Sequence, residues 1–132
     1  VYCLLTTFFN LRFLKDSEQL GKKQAVLDDE ALISILIPAR NESMAIKMCL
    51  QSLTVQTYRN LEILVLDDRS SDDTFEVVDS YRKIDSRVKV VKGSDLEYGW
   101  IGKHWACHQL SSLAIGDYLL FVVRLLFLVL LY

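Results

Sequence analysis

The chain has 132 residues and a formal net charge of -2. That length suits one ordinary domain with its own core, and the charge leaves no basic surplus of the kind phosphate-backbone binding needs, so nucleic acid is excluded as the expected partner. The three cysteines, Cys3, Cys49 and Cys107, are odd in number and lack metal-type spacing; this argues against a disulfide framework or a zinc site and for reduced, mostly buried thiols in a cytosolic compartment.

Residues 1–14, VYCLLTTFFNLRFL, are an apolar stretch without a polar lead-in, in a chain that opens on Val1 rather than Met. A spanning helix takes about 20 apolar residues, so the stretch reads as the end of a membrane anchor helix, with a surface-packed helix as the plainer alternative. Arg12, Lys15, Lys22 and Lys23 follow it closely. Basic residues flank membrane helices on the cytoplasmic side, so the expectation is a membrane-associated protein whose domain faces the cytoplasm. Residues 15–31 are polar and read as a linker.

From residue 32 to 122 the pattern alternates strand and helix. Two segments, Ile33-Ser-Ile-Leu-Ile-Pro-Ala-Arg-Asn-Glu42 and Leu61-Glu-Ile-Leu-Val-Leu-Asp-Asp-Arg-Ser-Ser-Asp-Asp-Thr74, are apolar runs that end abruptly in charged residues. Parallel strands covered on both faces read as continuous Val/Ile/Leu runs, and ligands of open α/β sheets sit beyond the strands' carboxyl ends. The polar residues after each run are therefore the site candidates. Ile46, Cys49, Leu50 and Leu53 predict one face of a helix opening near Ser43; Val77, Val78, Tyr81 and Ile84 predict the stripe of a second helix, with Ser71 as its cap. A short strand is expected at Val88–Lys92, then a loop from Gly93 to Lys103. A third helix with Ala106, Leu110, Leu113 and Ala114 on one face follows, closed by Gly116 as a left-handed cap, and a last strand starts at Tyr118. The fold class is α/β, with right-handed crossovers and a mostly parallel sheet.

The candidate residues carry distinct chemistry. Pro38, Ala39, Arg40 and Glu42 put a rigid turn, a guanidinium suited to phosphate and a carboxylate suited to a ribose hydroxyl at one sheet edge; a capped turn with a surface ion pair is the plainer reading. Asp67 and Asp68 are adjacent, so one can face the crevice while the other bonds back into the loop. Clustered carboxylates call for a cation or a donor-rich ligand. Asp72 and Asp73 read as first-turn acids favoured by the helix dipole. Gly99-Trp-Ile-Gly-Lys103 opens a helix with two glycines and a lysine, a combination suited to a diphosphate though not a Walker motif. His104 and His108 stand at metal-type spacing but lack a third ligand, so packing is the expected role and no metal site is assigned.

Together the strand SILIPARNE, the Gln56-Thr-Tyr before the second strand, LEILVLDDRSSDDT and GWIGKHWACHQL resemble glycosyltransferase family 2, over about Ile33 to Val122. The last motif, and Asn10-Leu-Arg after the apolar stretch, are similar to the membrane-associated bacterial branch that glycosylates carotenoid acids and related lipids. The resemblance implies the nucleotide-binding half of a GT-A, Rossmann-like fold, incomplete at both ends. It implies transfer of a sugar from a nucleotide-diphosphate sugar to a lipid or polyisoprenoid-type acceptor. By it, Pro38, Ala39, Arg40 and Glu42 line the nucleoside pocket, Asp68 contacts the base, Asp67 supports the loop and Lys103 approaches the diphosphate. A divalent cation, Mg or Mn, stabilises the leaving group in the complete family member.

The sequence departs from the family where Asp-x-Asp should follow the last strand: it reads Val123-Arg124-Leu125. The metal site is thus absent from the sequence, no catalytic base is assignable, and residues 123–132 are expected to be an aberrant apolar tail. A frameshift or truncation is the hypothesis, tested by reading the coding DNA in three frames; no Asp-x-Asp in any frame refutes it. Such a chain is expected to be inactive alone. The alternatives are a nucleotide-binding remnant or interaction module without catalysis, and a signalling receiver domain, which lacks here the phosphate-accepting Asp expected at the end of the third strand. A dinucleotide-binding domain is disfavoured because no Gly-x-Gly-x-x-Gly follows the first strand.

Overall fold

The computed structural model describes residues 31–122. The expected anchor, nearly all of the linker and the apolar tail lie outside the described residues. The order is β1 (Ile33–Ala39), α1 (Ser43–Thr54), β2 (Leu61–Asp67), α2 (Thr74–Arg82), β3 (Val88–Lys92), α3 (Gly102–Leu113) and β4 (Tyr118–Phe121). The four strands form one sheet in the order β3-β2-β1-β4, and every pair is parallel, with Ile33 opposite Leu61 and Tyr118, and Ile63 opposite Val88.

Strand alternation sorts the side chains into two cores. Ile35, Ile37 and Ala39 of β1 and Ile63 and Val65 of β2 pack with Ile46 and Leu50 of α1 and Val78 of α2. Leu36, Leu64 and Leu66 point the other way, against Ala106 and Leu110 of α3. This is why the two central strands read as unbroken apolar runs: both faces of β2 are covered, and all of its residues are buried. Fully burying one such side chain contributes about 1.5–3 kcal/mol. Among the described residues no helix is long and apolar enough to cross a membrane.

A polar network fastens the amino edge. Glu62 is 4% exposed, yet its carboxylate accepts from Lys89 Nζ at 2.8 Å, from the Ile115 N–H at 3.0 Å and from Ser34 Oγ. The Gly116 N–H donates to Ser34 Oγ at 2.9 Å. The loop from α3 to β4 is thereby tied to the sheet.

Four local expectations are corrected. Ser71 does not cap α2, which begins at Thr74; its N–H donates instead to Asn41 Oδ1. Ile84 is 85% exposed because the stripe outruns α2, which ends at Arg82, and Leu113, the last residue of α3, is 51% exposed. Gly116 is not a left-handed cap: the only positive-φ glycine among the described residues is Gly99. It is needed for close approach, since a Cβ there would lie 2.6 Å from Ser34 Oγ and 2.8 Å from Leu32 O. Cys49 and Cys107 are free but half-buried rather than buried, and burial pushes both thiols above their ordinary range.

Candidate functional site at the carboxyl edge of the sheet

Residues Ala39 and Asp67 end neighbouring strands in register, so the polar segments that follow them leave the sheet side by side. The Asp68 N–H donates to Ala39 O at 2.8 Å, which continues the ladder one step past the strands. Both loops then turn through the left-handed region, at Asn41 (φ 51°) and Arg69 (φ 55°), where non-glycine residues are uncommon and Asn is enriched.

The two loops are bonded to each other. Asn41 N–H donates to Ser70 Oγ at 2.9 Å, and Asn41 Oδ1 accepts from the Ser71 N–H at 2.7 Å. Glu42 N–H donates to Thr74 Oγ1 at 3.0 Å and Ser43 N–H to Asp72 Oδ2 at 3.3 Å. Asp72 also accepts from the Thr74 N–H at 3.0 Å. It lies just before α2 rather than in its first turn, closes this seam, and by accepting from the first N–H of the helix also meets the helix's positive end. The Thr74 hydroxyl's hydrogen bond, ahead of those from backbone N–H groups, holds its carboxyl below the usual range. Asn41, Ser70, Ser71 and Thr74 fall within the polar segments that the sequence marks as site candidates, but apart from Ser71 as a helix cap it assigns none of them a role. The Asn before the first helix and the Ser-Ser-Asp-Asp-Thr run were the available signal, since Asn, Asp and Ser side chains bond nearby backbone in turns.

Asp68 is half-buried at the rim, with Arg40 Nη1 at 3.9 Å and Arg69 Nε at 3.5 Å. Asp67 is 5% exposed, and its Oδ1 is buried without a hydrogen-bond donor. The adjacent acids thus separate, one inward and one to the rim. A buried carboxylate oxygen without a donor is costly, and an arriving N–H or O–H would relieve that cost. Pro38 is half-buried and Ala39 buried at the strand end, while Arg40 and Glu42 are exposed. Lys103 stands exposed in the first turn of α3; among the described residues no ion pair joins it to Asp67 or Asp68. His108 stacks on Trp100 at 4.8 Å and on Trp105 at 5.5 Å, which gives that histidine an aromatic role. An open cavity of about 470 Å³ lies at the other edge, lined by Thr54, Arg59, Tyr81 and Arg87 among others, far from the acid pair along the strands.

Residues 34–122 match the family model described as Glycosyl transferase family 2, from the first strand to the last. The chain belongs to glycosyl transferase family 2.

Family 2 relatives include the 4,4'-diaponeurosporenoate glycosyltransferase of Staphylococcus haemolyticus, 38% identical over 90 residues, covering 68% of this chain and 23% of that protein. The glycosyltransferase GlyG of Streptococcus pneumoniae is 32% identical over 91 residues, covering 69% of this chain and 29% of its own. Among solved structures, residues 1–349 of S. aureus TarS superpose with a TM-score of 0.59 at 30% identity, covering 69% of this chain and 26% of that one. Glucosyl-3-phosphoglycerate synthase from Mycobacterium tuberculosis, solved with Mn2+ and uridine diphosphate, gives 0.53 at 25% identity, covering 70% and 33%. The fold is therefore the GT-A type, and the chain spans about a quarter of the length of these curated relatives.

The donors present here do not match the Mn2+ with which that neighbour was solved. Among the described residues no cluster of three or more His, Cys, Asp or Glu side chains is arranged to hold a metal, and the sequence after β4 continues Val122-Val-Arg-Leu125. Valine and leucine offer no donor and arginine repels a cation, so these residues do not fit a divalent ion.

Proposed function

We propose that this chain carries the nucleotide-binding part of a glycosyltransferase whose donor is a nucleotide-diphosphate sugar and whose acceptor is lipid-linked. The observation that carries the reading is the acid pair at the carboxyl end of β2, with Asp68 between two guanidiniums and Asp67 Oδ1 buried without a donor. A nucleoside supplies N–H and O–H donors to such a site, and its diphosphate suits the exposed Arg40 and Lys103.

In this reading Asp68 accepts from the base, Asp67 supports the loop beneath it, and Pro38, Ala39, Arg40 and Glu42 wall the nucleoside. Lys103, in the first turn of α3, meets the diphosphate together with free backbone N–H groups. The donor class is supported by TarS, solved with UDP-GlcNAc, and by the synthase solved with uridine diphosphate. The acceptor class is supported by relatives from Campylobacter jejuni and Escherichia coli whose names specify diphosphoundecaprenol-linked acceptors. Membrane association with a cytoplasm-facing domain belongs to the same proposal.

Because the donors after β4 do not fit a cation, we expect these 132 residues to bind nucleotide without turnover. Titration calorimetry of the chain with uridine diphosphate and guanosine diphosphate tests this. Binding of one of them, weakened about ten- to a hundredfold in Asp68→Asn through loss of one charged hydrogen bond, is the expected result. No binding of either overturns the reading, and sugar transfer by the chain alone overturns the expectation of inactivity.

A further inference from the structure

The segment joining β3 to α3 is pinned at its start and bare at its tip. The Gly93 N–H donates to Asp67 O at 2.8 Å, the Ser94 N–H and hydroxyl both donate to Gln109 Oε1 at 2.8 Å, and Asp95 pairs with Arg69 at 3.4 Å. Beyond Asp95 the apolar side chains turn to solvent: Leu96 is 47% exposed, Tyr98 fully so, Ile101 68% and Trp100 38%. The tip has its own order, because the Trp100 N–H donates to Glu97 O at 3.1 Å and Gly99 takes φ 88°. The Trp100 ring is braced from beneath by His108 and by the buried Trp105, 5.3 Å away.

Four large apolar residues within six positions form an exposed patch of the kind that marks an interaction surface. Its composition selects the partner. Tyr and Trp, with an apolar body and a polar tip, settle at the headgroup level of a bilayer, and aliphatic neighbours enter the acyl boundary. Lys103 and His104 flank the tip and Glu97 lies within it, so the net local charge is small and apolar transfer is the driving term. The position is apt as well: the loop leaves the sheet beside the acid pair, through the Gly93 and Asp95 contacts.

We propose that residues 96–101 are a membrane-docking loop that rests the carboxyl edge of the sheet on a lipid bilayer surface. The docking stands on the loop itself; its purpose, to bring the nucleotide site to a lipid-borne acceptor, rests on the proposed function.

Trp100 and Trp105 are the chain's only tryptophans, so intrinsic fluorescence reports on this segment alone. The full chain is mixed with phosphatidylcholine and phosphatidylglycerol vesicles whose acyl chains carry bromine near the headgroup. The expected result is a blue shift and quenching of the emission, with Trp100→Phe losing most of the quenching while the chain still binds vesicles. Replacing exposed Tyr98 or Ile101 by Ser should weaken the titration about tenfold per anchor. Co-sedimentation with vesicles without quenching would overturn the proposal, since residues other than the loop then hold the membrane. No vesicle association, or a blue shift that grows with chain concentration in the absence of lipid, would overturn it too. Calorimetry with uridine diphosphate on the Tyr98→Ser chain keeps the two readings apart: quenching without nucleotide binding in the parent chain sinks the nucleotide reading alone, and unchanged binding in the variant shows that the docking loop is separate from that pocket.

Discussion

Asn41 holds the first site loop against Ser71 of the second: the Ser71 N–H donates to Asn41 Oδ1 at 2.7 Å while Asn41 itself sits at φ 51°. The residue serves two needs at once, an acceptor for the neighbouring loop and tolerance of a left-handed backbone.

Two substitutions separate those needs. Asn41→Gly keeps the backbone conformation and loses the side-chain bonds, for an expected cost of about 1 kcal/mol. Asn41→Ala loses the bonds and strains the backbone, for about 2–3 kcal/mol. Urea unfolding of the two variants checks the order. Equal costs would mean that the left-handed geometry carries no strain.

The Glu62 network predicts an acid-sensitive fold. Burial pushes the Glu62 carboxyl up, but hydrogen bonds from Lys89, Ser34 and the Ile115 N–H outweigh it, and the net direction is down. A carboxyl with a depressed folded pKa contributes stability that is present above its unfolded pKa, about 4.3. That stability is lost as pH falls through the lower folded value. Glu62→Gln should lose about 1–3 kcal/mol at neutral pH, since it weakens the bonds of three donors, and should flatten the acid limb. Unfolding midpoints measured from pH 7 to pH 3 test this; an acid limb unchanged in Glu62→Gln would assign it to other carboxylates.

Gly116 and Gly93 are both close approaches, and they should differ. A Cβ at Gly116 meets backbone, with Ser34 N at 2.7 Å and Leu32 O at 2.8 Å; at Gly93 the nearest atom is the end of the Leu66 side chain, at 2.9 Å. Backbone cannot yield as a leucine methyl can, so Gly116→Ala should cost about 2–3 kcal/mol and Gly93→Ala about 1 kcal/mol or less. Thermal unfolding of both variants decides whether the amino edge is as tight as the contacts imply.

The strands and helices were legible because burial on both faces leaves unbroken Val/Ile/Leu runs in β1 and β2 and a 3.6-residue stripe at Ile46 and Leu50. The acid pair was legible for the same reason: charge after an apolar run marks a strand's carboxyl end. What did not show was anything that depends on a partner distant in sequence. Asn41 bonding to Ser71, Ser34 to Glu62, and Gly116 lying over Ser34 are contacts across 30, 28 and 82 residues, and no local pattern encodes them. Ile84 and Leu113 were misassigned because a stripe gives the face of a helix but not its last turn.

Asp67 offers the sharpest separation of fold from site. Its carboxylate is 5% exposed and one oxygen lacks a donor, so removing the charge relieves desolvation while the shape is kept. Asp67→Asn should leave stability unchanged or raise it by about 1 kcal/mol. If Asp67 supports the nucleoside loop through its charge, the same variant should weaken uridine diphosphate binding about tenfold, the weight of one charge-assisted hydrogen bond. Urea unfolding and calorimetry on one preparation read both quantities. A variant that loses more than about 2 kcal/mol of stability yet binds nucleotide normally would make Asp67 a part of the fold rather than of the site, since that is the cost of an ordinary buried structural group.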